Sequence, residues 1–334
     1  MVGVNNRSAI VASRSWRHGV LLDADVTRSE LSAAAHDPET LVWVDLLDPT
    51  PEDLADIARE LGLSPTAVED ALAPHERAKL IRHDSHLFFT VYGVEVGERT
   101  RGGVGRLRTH RISGVVLPAA LITIRLADAP DLAPVVARWE ENAHLLRAGS
   151  GALVHGLLDV VVDGHFEAIQ RIDDRMEALE DVLFEERRTG QAFARTVYDL
   201  RKDLVALRRV VTPMREVVNG FMRRHDDEPA LRPWYDDLYD HVLRATEWTE
   251  SLRDMVSSIF ETNLSLQDSR LNTIMKKLAG WAAIIAVPTA ITGWFGQNVP
   301  YPGYGEPLGF FLSAGLIVGL GALLYAVFRA RDWL

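Results

Sequence analysis

The sequence predicts an α+β domain, a long helical stalk after it, and two C-terminal transmembrane helices. Three observations carry that prediction. First, two runs without a charge, Leu278–Phe295 and Leu308–Phe328, hold eighteen and twenty-one residues. At about 1.5 Å of rise per residue each can cross a hydrocarbon core about 30 Å thick, the shorter one only just. Second, there is no glycine or proline from Trp234 to Ala279, so a helical pattern enters the first run without a stop signal. Third, before Pro130 short apolar segments alternate with turn residues, as strands do. The expected boundaries are a disordered segment at 1–16, an α/β cytosolic domain at 17–130, the stalk at 131–275, and the membrane hairpin at 276–334 with its external loop at 296–307.

Composition narrows the function classes. Charged residues make up 25% of the 334, too many for a polytopic membrane protein and right for a soluble body on a small membrane foot. A formal net charge of −11 argues against nucleic acid as a partner. With no cysteine, disulfides, thiolate metal sites and thiol nucleophiles are excluded. The opening MVGVNNRSAIVASRSW lacks the apolar core of a signal peptide, so the hairpin itself is the expected targeting signal.

In chain order, Gly19–Val26 and Leu41–Leu46 read as strands. Thr50 caps a helix with Pro51 in its first position and Glu52 and Asp53 in its first turn. Leu54, Ile57, Ala58 and Leu61 form its apolar face and Gly62 ends it. Ser64-Pro65 opens a shorter helix through Leu72. Strands follow near Ala78–Arg82 and Leu87–Val96, then a glycine-rich turn, Arg101–Arg108, and a hairpin of Ile112–Leu117 with Ala120–Arg125. That turn lacks the Gly-Lys-Ser/Thr ending of a phosphate loop. Beyond Pro130 the pattern is helical: Asp131–Leu146, an acid-rich Val154–Arg188, and Gln191–Arg224, which Pro213 should bend. Pro233 opens the last helix, and about 62 residues from Trp234 to Phe295 would span about 90 Å. No nucleophile stands beside a base and no histidines have metal spacing, so an enzyme is not expected.

Between the two spans, Gly296–Pro307 reads GQNVPYPGYGEP, and its three prolines and three glycines make it a turn. Lys276 and Lys277 precede the first span, and Arg329 and Arg331 follow the second. Both basic flanks belong on the cytoplasmic side, with the short loop outside and both termini in the cytoplasm. On the first span, Met275, Leu278, Ala282, Ala286, Thr289, Gly293 and Gly296 recur every three or four residues and share one face, which ends at Asn298. A stripe of small residues either lets helices pack closely or lines a conduit when several copies ring an axis.

The run NTIMKKLAGWAAIIAVPTAITGWFGQN, Asn272–Asn298, resembles the pore helix of the CorA family of divalent-cation transporters. That family ends its first membrane helix in Tyr-Gly-Met-Asn; here the place reads Phe295-Gly296-Gln297-Asn298, and Pro288-Thr289 and Gly293 match as well. PHERAKLIRHDSHLFFTVYG, SGVVLPAALITIR and RKDLVALRRVVTPMREVV are also similar, so the resemblance covers nearly the whole chain. It implies a funnel-like homopentamer embedded in the lipid bilayer of the cell membrane, with the first span around the axis and the second outside it. It implies passive transport of Mg²⁺, with Co²⁺ or Zn²⁺ as alternatives, the latter as in the ZntB branch, whose members also depart from methionine at this signature. A membrane-anchored cation sensor that conducts nothing is the reading from another class. In the transport reading Asn298 forms the polar filter with the carbonyls of Gly296 and Gln297, and Thr289 is a deeper polar ring. Ala286, Leu278 and Met275 are apolar constrictions, with Ala282 and Gly293 on the same wall. The family also binds cytosolic cations on acids between subunits to hold the pore shut, and Glu261 falls where it commonly has an acid.

Overall fold

The structure is a computed structural model that describes residues 9–26, 37, 39–73, 76–97, 106–126, 128–183, 191–225 and 228–333. Strands β1 (Ile10–Arg17), β2 (Val20–Asp23), β3 (Thr40–Leu47), β4 (Lys79–Arg82), β5 (Leu87–Val96), β6 (Leu107–Leu117) and β7 (Ala120–Arg125) form one sheet in the order β2-β1-β3-β7-β6-β5-β4. Neighbours run antiparallel except β3 and β7, which are parallel with Val42 opposite Ala120 and Leu47 opposite Arg125. Period-two alternation sends residues to both faces. On one face Val42, Val44, Leu46, Ile122 and Ile124 pack against Leu54 and Ile57 of α1 (Pro51–Leu61) and Ala71 of α2 (Pro65–Leu72). On the other, Leu41, Trp43, Phe89 and Leu121 meet the helices that follow the sheet.

The caps of α1 form as its sequence dictates. Thr50 accepts a hydrogen bond from the Asp53 amide while Asp53 accepts one from the Thr50 amide, and Gly62 takes the left-handed conformation at φ 63°. Beyond the sheet come α3 (Ala133–Glu141), a 3₁₀ segment (Ala143–Ala148), α4 (Ser150–Leu183), α5 (Gln191–Val211), α6 (Met214–Arg224), α7 (Arg232–Phe295) and α8 (Pro307–Ala330). Trp139 of α3 is held edge-on to Trp16 and Trp43, and its indole N–H donates to the Leu153 carbonyl at 3.0 Å. Gly156 makes room for that ring, since a Cβ there would lie 2.6 Å from Trp139 Cδ1. The stripe of Leu200, Leu204, Leu207 and Val211 on α5 is buried.

Four expectations need correction. Residues 10–16 are not disordered: they belong to β1, which pairs with both β2 and β3. Its buried positions carry Ser13 and Ser15 beside Trp16, and the Ser13 hydroxyl donates to the Val26 carbonyl, so the strand shows little apolar periodicity. Asp131–Leu146 is not one helix. Asn142, at φ −112° and ψ 34°, ends α3, and its side-chain Nδ2 donates at 3.2 Å to the Arg138 carbonyl, the same oxygen that accepts its backbone amide at 3.1 Å. Gln191–Arg224 is broken rather than bent at Thr212-Pro213, because proline has no amide to donate. Finally, 131–257 is no separate stalk domain: its helices share one core with the sheet, and the chain divides into compact units at Ser257/Ser258. The glycine-rich turn at 101–105 and the acids at 185 and 186 lie outside the described residues.

The acid run of α4 is partly neutralised within the fold. Arg138 pairs with Asp159 and, at 2.8 Å, with Asp163, and Arg171 pairs with Glu167. At the parallel seam, Asp45 and Arg125 form a buried ion pair with two Nε contacts of 3.1 Å. Thr123 completes it, donating to Asp45 at 2.7 Å and accepting from the Trp43 indole at 3.1 Å.

Candidate functional site

The site is the C-terminal part of α7 and the turn after it. Among the described residues two helices are long and apolar enough to span a bilayer, the end of α7 and all of α8, and only 6% and 0% of their apolar windows are buried. That exposure separates them from the core helices of a soluble protein, whose apolar face is covered. Met275, Leu278, Ala282, Ala286, Thr289 and Gly293 all lie on α7 and are exposed in this chain, as are Gly296, Gln297 and Asn298 just beyond its last turn. The structure thus places them in one column along a helix and ends the helix where its signature begins. Glu261 is exposed on the same helix, more than three turns before Met275, and is not brought near the signature.

Local chemistry fixes the polar groups of the column. Pro288 sits inside the helix and has no N–H for the carbonyl four residues earlier. Just after it, threonine hydroxyls bond the backbone: Thr289 donates to the Ile285 carbonyl at 3.1 Å and Thr292 to that of Pro288 at 2.8 Å. With its proton spent on its own helix, the Thr289 hydroxyl offers only lone pairs outward. At the helix end the Gly296 amide donates to the Thr292 carbonyl at 2.9 Å, and a Cβ at Gly296 would lie 2.9 Å from that same oxygen, so a side chain there is crowded by the helix it terminates. The turn is braced by Tyr301, whose hydroxyl donates to the Phe295 carbonyl at 3.1 Å and whose ring stands edge-on to Phe295 and Tyr304. Gly303, at φ 90°, brings its carbonyl so close to Gly309 that a Cβ there would lie 2.5 Å away, which folds the loop onto the start of α8.

The arrangement presents oxygen acceptors without a carboxylate. Glu306 is the only acid between the spans, and among the described residues no three histidine or acidic side chains cluster to hold a bare metal ion. Such a surface can accept hydrogen bonds from water around an ion without displacing that water.

The family model described as the CorA-like Mg2+ transporter protein matches residues 38–330. This chain belongs to that family. It is 25% identical over 305 residues to the cobalt/magnesium transport protein CorA of Thermotoga maritima, spanning 89% of this chain and 85% of the relative. It is 27% identical over 298 residues to the zinc transport protein ZntB of Yersinia enterocolitica, spanning 82% of each. Its fold matches the complete structure of the CorA magnesium transporter from Methanocaldococcus jannaschii with a TM-score of 0.75 at 22% identity, over 100% of both chains. The chain is thus a CorA-type membrane protein: a sheet-and-helix unit, a long helix, and two C-terminal apolar helices.

Two residues of this candidate site are silent in the stripe pattern. Thr292 lies one residue before Gly293 and is visible only as Pro-x-x-x-Thr, the spacing at which a hydroxyl reaches the proline carbonyl. Tyr301 lies in the loop, and no periodicity points to its contact with Phe295.

Proposed function

We propose that this protein carries divalent cations, magnesium foremost, passively across the membrane through a pore built by several copies of the chain. Family membership supports the transport reading, and a two-span chain cannot enclose a water-lined path alone. In the homopentamer we propose, α7 faces the axis, α8 faces lipid, and both termini are cytoplasmic. The observation that carries the reading is a run of oxygen acceptors: Thr289 with its proton engaged, then the backbone carbonyls of Gly296 and Gln297 and the side-chain amide oxygen of Asn298 at the helix end. Mg²⁺ holds its waters tightly in an octahedron at about 2.0–2.1 Å, so a ring of acceptors grips the hydrated ion by its outer shell. Ala286, Leu278 and Met275 narrow the deeper part with apolar rings, which close a pore by dewetting. Ala282 and Gly293 continue the wall. Glu261 copies on neighbouring chains repel one another, and bound Mg²⁺ relieves that repulsion and stabilises the closed ring by differential binding.

Flux of Mg²⁺ into proteoliposomes tests this. Asn298→Ala should abolish selective flux while the oligomer keeps its elution volume. Full and equally selective Mg²⁺ flux through the variant means the filter lies elsewhere. Zinc or cobalt as the preferred ion is the second reading, favoured by Gln297 at the signature and by the similarity to ZntB. Parallel measurements with Zn²⁺ and Co²⁺ separate the two.

A further inference from the structure

Within the sheet-and-helix unit, α5, α7 and the Thr212-Pro213 turn line an open cavity of about 540 Å³, well within the range of small-molecule sites. Among the described residues four arginines line it, Arg201, Arg208, Arg209 and Arg253, and no acid does. Glu250 lies beside them, 2.6 Å from Arg208 Nε and 2.9 Å from Arg253 Nη1, and Asp254 is 2.7 Å from Arg253. Arg201 and Arg209 have no ion pair among the described residues. Four guanidiniums against two carboxylates leave the cavity positive in a chain whose formal net charge is −11. A cation is repelled here, so the cavity is no part of the ion path.

Its other surface is apolar, made by Leu204, Val205, Pro213 and Val256. Three hydroxyl residues line it, Thr212, Thr249 and Ser257; the protons of two are already given away, Thr249 to the Ala245 carbonyl at 2.7 Å and Ser257 to that of Arg253 at 3.1 Å, so both are acceptors. A bare oxyanion uses only the arginines. An apolar floor with acceptors beside it also takes an organic body that carries hydroxyl or amino donors.

We propose that this cavity binds a soluble phosphate-bearing organic anion with the chemistry of a nucleoside phosphate. Arg201 and Arg209 hold the phosphate oxygens in the planar fork geometry guanidinium provides. The Leu204–Val256 floor takes the base. The site stands on its own charge and shape and does not depend on what the membrane helices conduct.

The test uses the full chain in a non-ionic detergent, with ATP in excess EDTA as the probe, followed by titration calorimetry. Saturable binding at one site per chain is expected, weakened at least about tenfold in Arg201→Glu/Arg209→Glu and unchanged in Arg195→Ala, an exposed arginine of α5 outside the cavity. Inorganic phosphate at the same concentration should bind at least about tenfold more weakly than ATP, because it leaves the floor empty. Should the double variant fail to elute as wild type does, Val205→Trp fills the cavity without changing its charge and should weaken ATP equally. The proposal is overturned by no saturable ATP binding, by wild-type affinity in a folded cavity variant, by an equal loss in Arg195→Ala, or by phosphate binding as tightly as ATP.

Discussion

Replacing His165 by glutamine should flatten the acid side of the stability profile. His165 is 1% exposed on α4, and its Nε2 lies 2.8 Å from the Tyr92 carbonyl of β5. A carbonyl only accepts, so Nε2 carries the proton of a neutral ring. Burial pushes the imidazole down to about 4 from an ordinary 6.5, opposed in part by that hydrogen bond. Between those values the unfolded chain binds the proton and the folded chain does not. The contribution is therefore complete above pH 6.5 and is lost as pH falls toward 4. The linkage relation puts the loss at about 2 kcal/mol by pH 5 and about 3 kcal/mol below pH 4. Glutamine keeps an N–H for Tyr92 and does not titrate. The assay is chemical denaturation of both proteins at pH 7.5, 6 and 5, and the stability gap should close by about 2 kcal/mol between the extremes. His86 and His155, also pushed down by burial, act in both proteins and cancel in the difference. A gap that stays constant with pH refutes the reasoning.

Gln297→Met should keep Mg²⁺ flux and change mainly the ranking of Mg²⁺, Co²⁺ and Zn²⁺, because the two side chains are alike in length while an amide is replaced by a soft thioether; loss of all flux in proteoliposomes contradicts this. Glu261→Ala should reduce the magnesium dependence of protease resistance and of current, and an unchanged dependence removes Glu261 from the regulatory site. Asp45→Asn leaves Arg125 charged and buried without its counter-ion and should destabilise the sheet-and-helix unit by about 3–5 kcal/mol, read as a lower denaturation midpoint with an unchanged fold by circular dichroism.

What the sequence made legible was local or set by the bilayer. The Thr50 cap and the Gly62 stop are decided within a few residues, and the spans by the thickness they must cross; Pro213 was legible as a perturbation, expected as a bend where the helix breaks. β1 was hidden because two of its three buried positions are serines, one of which donates to the distant Val26 carbonyl. The α3 stop at Asn142 lies in that residue's non-helical backbone and its side-chain bond to the Arg138 carbonyl, which no break residue announces. The candidate site is readable only as a stripe plus a signature, since Asn298 alone reads as an ordinary helix cap. The engagement of the Thr289 proton is not legible in sequence, because a hydroxyl has several equivalent acceptors in a helix. The arginine cavity left no trace in the sequence, since its four cations come from two helices and share no motif.

The parallel seam also governs the order in which the sheet can be made. β1, β2 and β3 pair locally, and so do β4 to β7, but Val42 must wait for Ala120. At about 5–20 residues per second of synthesis, the wait is about 4–16 s, during which one edge of β3 has no partner. A bare apolar edge invites pairing with other chains. Asp45 stands in the middle of that edge strand, and its neutralising partner Arg125 is eighty residues away in the chain. Until Arg125 emerges, the carboxylate keeps its water and makes the edge a poor template for a stranger. The same charge that the finished sheet buries thus serves as a temporary guard on the nascent one, dismissed by the strand that completes it.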